Sequence, residues 1–234
     1  MDYLVTENNQ SVVLAHDFAV SGNTVQGVEI QVNEKFLPHA GQKPDWAPWT
    51  ARNSLFRTYQ IGGSSNKLVT WIGINDINWQ FDPQGQLTQL FELQESLYQA
   101  GARNFVFFTV PPFDRAPVSI SPLSLLSLTT TGANKPDIKP RITRWNYRLN
   151  DFVTIFRFHH PDAFIEVYDT MEIFNTVFED PAKYGFRDAV QICQTGECVW
   201  NDIIHPAFSM HKIIAEDLAK FLKSMGKGWG DLFG

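Results

Sequence analysis

The chain has 234 residues, 44% apolar and 19% charged, with a net charge of −6 and a pI near 5.5. That size and balance suit one globular domain over residues 1–234 with a sizeable core. An acidic chain without a basic patch is a poor partner for nucleic acid. No run approaches the roughly 18 apolar residues of a membrane span.

The opening MDYLVTENNQ lacks the basic, apolar and small-residue regions of a signal peptide and reads as the last turn of a helix. SVVLAHDFAV (11–20) is an apolar run of strand type that meets Ser21-Gly22-Asn23. Val25, Val28, Val32 and Phe36 then follow at helical spacing, while Val28, Ile30 and Val32 also alternate as in a strand; the helix is favoured. DWAPWTARNSLF (45–56) is a loop leading into a new strand, and KLVTWIGIND (67–76) holds a strand ending in Asn75-Asp76. LTQLFELQESLYQAGA (87–102) is an amphipathic helix stopped by Gly101.

NFVFFTVPP (104–112) is a continuous apolar run closed by prolines, the pattern of a strand buried on both faces. Residues 113–141, rich in Ser, Thr and Pro, predict a long loop before the helix RITRWNYRLNDFVTIFRF. DAFIEVYD (162–169) is the next strand, TMEIFNTVFED the next helix, and the last helix follows Pro206. Strands alternating with helices predict an α/β sandwich with a parallel sheet. In such sheets chemistry sits where strands end, which should gather Gly22, Asn75 and the Pro111-Pro112 turn at one edge.

Three short motifs carry the chemistry. In WNDIIHPAFSMH (200–211), Asp202 stands three residues before His205, close enough to fix the tautomer of a general base. The same residues also read as a helix start, with Pro206 in the first turn and Asp202 suited to the dipole. In Gly73-Ile74-Asn75-Asp76, the Asn75 amide can donate to an oxyanion, or the stretch is a plain turn. In DFAVSGNTV (17–25), Gly22 lets its backbone N–H approach a ligand, or simply makes a tight turn.

In this order the three motifs resemble the SGNH (GDSL) hydrolase family, in particular its fungal carbohydrate esterases and acetylesterases. FAVSGNTV, WIGINDI, GARNFVFFTVPPFDR, VYDTMEIFNTVFEDPAKYGF and WNDIIHPAFSMH carry the resemblance over most of the chain. It implies a three-layer α/β/α sandwich of flavodoxin-like layout. It also implies ester hydrolysis by an acyl-enzyme route with no metal or cofactor. His205 would be the general base and Asp202 its orienting partner, with the Asn75 side-chain amide and the Gly22 N–H as oxyanion donors. The substrate would be a small-molecule or oligosaccharide ester, such as an acetylated plant-wall oligosaccharide, with a lipid ester as the rival. The protein would be secreted and monomeric.

The family's nucleophile is a Ser in a Gly-Asp-Ser motif at the end of the first strand, and this sequence contains no Gly-Asp-Ser. Ser21 lies where the family puts an oxyanion donor, Ser54 precedes a strand without an elbow, and Ser209 falls inside the last helix. MDYL resembles the middle of the helix after the nucleophile. The expectation is therefore a chain that starts past the first strand, lacking on the order of 30 residues, and is inactive as an esterase. Its sheet, deprived of an inner strand, would be weakened by unpaired backbone groups at about 1–3 kcal/mol each. RTYQIGGSSNKL (57–68) interrupts the family pattern and reads as a surface insertion or translated intron. A non-catalytic glycan- or ester-binding protein is the alternative; a phosphate-binding flavodoxin-like module would need a phosphate-cradling loop that is not visible.

Cys193 and Cys198 permit a small disulfide loop, two lone thiols being the alternative, and Asn9-Gln10-Ser11 is a glycosylation sequon. Trp46, Trp49, Trp71, Trp79 and Trp200 lie in or near loops at the expected active edge, where indole faces could stack on sugars. Trp71 is nonetheless expected in the core. His159 and His160, adjacent at a helix end, point in different directions and make a poor metal site. His211 is expected on a helix surface. His16 could line the cleft, and His39 carries no motif.

Overall fold

The computed structural model describes residues 17–38, 67–79, 82–120 and 138–226. Three strands, β1 (Leu68–Thr70), β2 (Asn104–Phe108) and β3 (Phe164–Tyr168), form a parallel sheet in the order β1-β2-β3. Val69 stands opposite Val106, and Phe107 opposite Val167. All five β2 residues are buried, as their unbroken apolar run requires of a central strand.

Side chains alternate across a strand, so β2 feeds two cores. Phe105 and Phe107 join one core with Val25 and Val28 of α1 (Val25–Ile30), Leu87 and Leu90 of α3 (Gln84–Gln99), and Trp145 and Leu149 of α5 (Lys139–His159). Val106 and Phe108 join another with Val177 of α6 (Thr170–Glu179) and Met210 and Leu222 of α7 (Phe208–Ser224). The sheet thus lies between two helical layers, which is the expected α/β/α sandwich. Short helical turns α2 (Asp76–Trp79) and α4 (Pro117–Ile120) follow β1 and β2.

Helix beats strand over residues 25–36. Val25, Val28, Val32 and Phe36 are buried while Ile30 is exposed, as a helical face demands. The second half, Gln31–Phe36, widens to a π-helix. Residues 17–20 form no strand, whereas 11–16, His39 and the 45–56 loop lie outside the described residues. Part of the interval 113–141 expected as loop is helical, with a 3-10 turn at Phe113–Arg115, α4, and α5 starting at Lys139. Of the expected insertion 57–68, residues 57–66 lie outside the described residues, and only its last two positions are described. Leu68 pairs with Phe105, and Lys67 is buried.

A second ladder escapes sequence reading. β4 (Asp188–Ile192) pairs with β5 (Cys198–Trp200) in parallel register, interrupted by an irregularity. Cys193, just after β4, is disulfide-bonded to Cys198, the first residue of β5, Cα to Cα 5.2 Å, which closes one of the alternatives left open. The Arg187 guanidinium lies 3.3 Å from the Cys193 sulfur.

Candidate active site

β5 leads into the Asp202–His205 loop. The loop is pinned at its base, where Ala207 N–H donates to Val199 O at 2.8 Å and Asn201 N–H to His205 O at 2.9 Å. Helix α7 starts only at Phe208, with Ala207 as its N-cap and no side-chain cap. Asp202 is therefore not a helix cap. Its carboxylate turns inward on its own loop instead, an Asx-type closure. Oδ1 accepts the N–H groups of Ile204 and His205 at 2.8 and 2.7 Å, and Oδ2 accepts from His205 Nδ1 at 2.8 Å.

Burial works to raise the Asp202 carboxyl, but the hydrogen bonds from Ile204, His205 N–H and the His205 ring outweigh it and hold it below the ordinary value. It is an anion near neutral pH. The His205 side chain is 61% exposed, and its Nε2 has no protein partner among the described residues. A ring fixed through Nδ1 by a carboxylate, with Nε2 left unbonded, can take a proton from a hydroxyl and hand it to a leaving group.

Gly22 sits at φ +78 in a turn closed by Asn23 N–H donating to Val20 O at 3.2 Å. The left-handed φ explains the glycine. Gly73, at φ +118, opens the turn that carries Asn75. Two hydrogen bonds join these segments in opposite directions. Asn75 Nδ2 donates to Asn23 O at 2.9 Å, and Val25 N–H donates to Asp76 Oδ1 at 3.0 Å. A primary amide has two N–H groups, so Asn75 keeps a second donor.

Both pairs belong to the carboxyl edge of the sheet. The Asn75 turn leaves β1, and α4 follows the prolines that leave β2. Val118 N–H of α4 donates to Ile203 O within the Asp202–His205 loop at 2.8 Å. Among the described residues no hydrogen bond links Asp202–His205 directly to Gly22 or Asn75.

The remaining candidates divide. Trp71 is 36% exposed, against expectation, and packs on Phe108 with tilted rings, centroids 5.3 Å apart. β1 ends one residue before it, so it leaves the layered interior. Trp200 is only 2% exposed and donates its indole N–H to Ala189 O, so it is core rather than cleft. His160 is buried and bonded to Glu95 at 2.7 Å, with Tyr98 against its ring. His211 is exposed on α7. Ser209 donates to Gly196 O at 2.6 Å, and Ser21 is exposed in the Gly22 turn. Trp46, Trp49, Ser54 and His16 lie outside the described residues, as does the Trp79 side chain. No described helix is long and apolar enough to cross a membrane.

Sequence reading missed two residues at this edge. Asp76 lies within the Gly73–Asp76 motif, where no local pattern marks a role for it, and Trp145 underlies Gly73 from the second turn of α5. Only the adjacency of Asp76 to Asn75 could have signalled the first.

The chain is similar to an acetylesterase of Thermothelomyces thermophilus, 28% identical over 236 residues, covering 93% of this chain and 72% of that protein. Residues 2–218, which span the five described strands and the Gly22, Asn75 and Asp202–His205 segments, match the GDSL-like Lipase/Acylhydrolase family, and to that family the chain belongs.

Proposed function

We propose that this domain works in ester hydrolysis through an acyl-enzyme, removing small acyl groups, acetyl first, from carbohydrate esters such as plant-wall oligosaccharides. The observation that carries the reading is the His205–Asp202 pair, bonded at 2.8 Å through Nδ1 on an exposed imidazole. His205 acts as general base and acid, and Asp202 holds its tautomer and balances the imidazolium. Asn75 and Gly22 donate to the oxyanion of the tetrahedral intermediate. The similarity to an acetylesterase supports the acetyl group. Secretion is proposed on the Cys193–Cys198 disulfide, which belongs to oxidising compartments. The working form is proposed to be a monomer.

No Gly-Asp-Ser occurs among the 234 residues. We therefore assign no nucleophile here and expect the chain by itself not to turn over esters. That same observation favours a second reading, a protein that binds an ester or glycan without cleaving it. Two preparations separate them. One is the 234-residue chain, and the other is the chain extended upstream by a family-type strand ending in Gly-Asp-Ser. Turnover of p-nitrophenyl acetate and acetylated xylo-oligosaccharides only by the extended form, lost with His205→Ala, supports the esterase. Full activity in His205→Ala sinks it, and binding without turnover in both forms favours the second reading.

A further inference from the structure

We propose that Asp76 is a positioning residue for the oxyanion donors: its buried carboxylate holds the Val25 N–H and thereby locks the Gly22 loop onto the Asn75 turn. This rests on the reading of Gly22 and Asn75 given above.

The side chain of Asp76 is only 4% exposed. Oδ1 accepts the Val25 N–H at 3.0 Å, and among the described residues Oδ2 has no hydrogen-bond partner. Burial raises this carboxyl above its ordinary range, against the smaller effect of the hydrogen bonds from Val25 and its own N–H. A half-satisfied buried acid is a poor way to stabilise a turn, because an apolar side chain of similar size usually serves as well or better. What an apolar side chain cannot do is accept the Val25 N–H, one of the orphan donors of a helix start.

The two sides of this contact are held differently. The Asn75 turn is fixed from α5. Arg141 donates to the carbonyls of Ile77 and Asn78, and Trp145 lies against Gly73. Among the described residues, 20–25 are tied to another segment by only two hydrogen bonds, Val25 to Asp76 and Asn75 to Asn23. The Asn23 carbonyl decides where the Asn75 amide points and so where its second N–H is presented. Asp76 fixes that carbonyl through Val25, two residues along the chain. It touches no reacting atom and works through Asn75 and Gly22.

The test is an amide spectrum of the ¹⁵N-labelled 234-residue chain, which needs no turnover. Asp76→Leu removes the acceptor while keeping the branched outline in a somewhat larger side chain, and Asp76→Asn keeps an acceptor while removing the charge. Asp76→Leu should move the Gly22, Val25 and Asn75 side-chain amide signals and raise Val25 hydrogen exchange on the order of 10-fold or more, the loss of one hydrogen bond. Asp76→Asn should restore both toward the unaltered chain. Unmoved Gly22 and Asn75 signals in folded Asp76→Leu overturn the proposal. So does a Val25 amide in the unaltered chain that exchanges as fast as an exposed loop amide, a reading that requires no variant to fold.

Turnover by the Ser-extended form tests the underlying reading separately. Asn75→Ala should lower kcat about 10²–10³-fold, Asp76→Leu should lower kcat with KM little changed, and the two together should fall well short of additive. If Asn75→Ala leaves turnover intact, the oxyanion reading fails whatever the amide spectra show.

Discussion

Gly73 lies so close to the indole of Trp145 that a Cβ on it would stand 2.3 Å from Cε2. Its φ of +118 independently disfavours any side chain. Helix α5 thus sets the height of the Asn75 turn through one aromatic edge. Gly73→Ala must both strain the backbone and displace the indole, at a cost of about 2–5 kcal/mol in total. Urea unfolding of Gly73→Ala checks this. Adding Trp145→Phe to Gly73→Ala should recover part of the loss, since it relieves the clash but not the backbone. A loss under about 0.5 kcal/mol, the range of an ordinary surface change, would show that the turn does not rest on the indole.

Two carboxyls at this edge are shifted in opposite senses, so their pH signatures oppose. Asp202 is held below 3.8 by its hydrogen bonds in spite of burial. Its contribution is present above the unfolded value and lost as pH falls through the lower folded value. Asp76 is raised above 3.8 by burial. Its ionisation therefore opposes folding, and stability falls as pH rises from the unfolded value through the higher folded one. Thermal unfolding from pH 3 to pH 7 should show Asp76→Asn gaining on the unaltered chain as pH rises, and Asp202→Asn losing. A gap between Asp76→Asn and the unaltered chain that is constant with pH would contradict the burial assigned to Asp76.

Much of this layout could be read from periodicity. β2 announces itself as an unbroken apolar run, and the face Val25, Val28, Val32, Phe36 as a helix. The features that could not be read are those without a period. β5 has three residues, too few for an alternation to register, and β4 carries an irregularity in its pairing. Trp71 looks like core because aromatics favour strands, yet β1 stops at Thr70. Asp202 carried two meanings because an acid before a proline suits both a helix start and a His partner. Only the position of Ala207 as N-cap separates them. The ties between Asn75-Asp76 and Asn23–Val25 cross about 50 residues of chain, as their separations of 51 and 52 show, and no local pattern encodes such a contact.

The Cys193–Cys198 bridge closes a loop with a separation of 5 residues, so chain entropy alone gives it only about 2 kcal/mol. Its position adds a second consequence. The bridged loop contains Gly196, whose carbonyl accepts from Ser209 and whose Cα faces the Phe208 ring, both in the first turn after His205-Pro206. Replacing both cysteines with Ala should lower stability by about that amount and loosen the start of α7. Hydrogen exchange at Met210 and His211, whose N–H groups donate to Ala207 O, reports the loosening. Unchanged exchange there would confine the bridge to global stability.

The Asp202–His205 loop makes a sharper demand. Oδ1 serves two backbone N–H groups and Oδ2 serves the ring, so Asp202→Asn can keep the first role while spoiling the second. With the amide oxygen on Ile204 and His205, the –NH₂ faces Nδ1. Nδ1 must then accept, which puts the ring proton on Nε2 and removes its power as a base. Asp202→Ala instead frees the loop as well as the ring. Asp202→Asn should leave the Ile204 amide shift nearly unchanged, move the imidazole ¹⁵N signals to the Nε2–H tautomer, and lower kcat of the Ser-extended form about 10⁴-fold. Asp202→Ala should show the same order of kcat loss with the Ile204 amide displaced. If Asp202→Asn retains the Nδ1–H tautomer, something other than Asp202 holds the ring, and its assignment as the orienting partner falls.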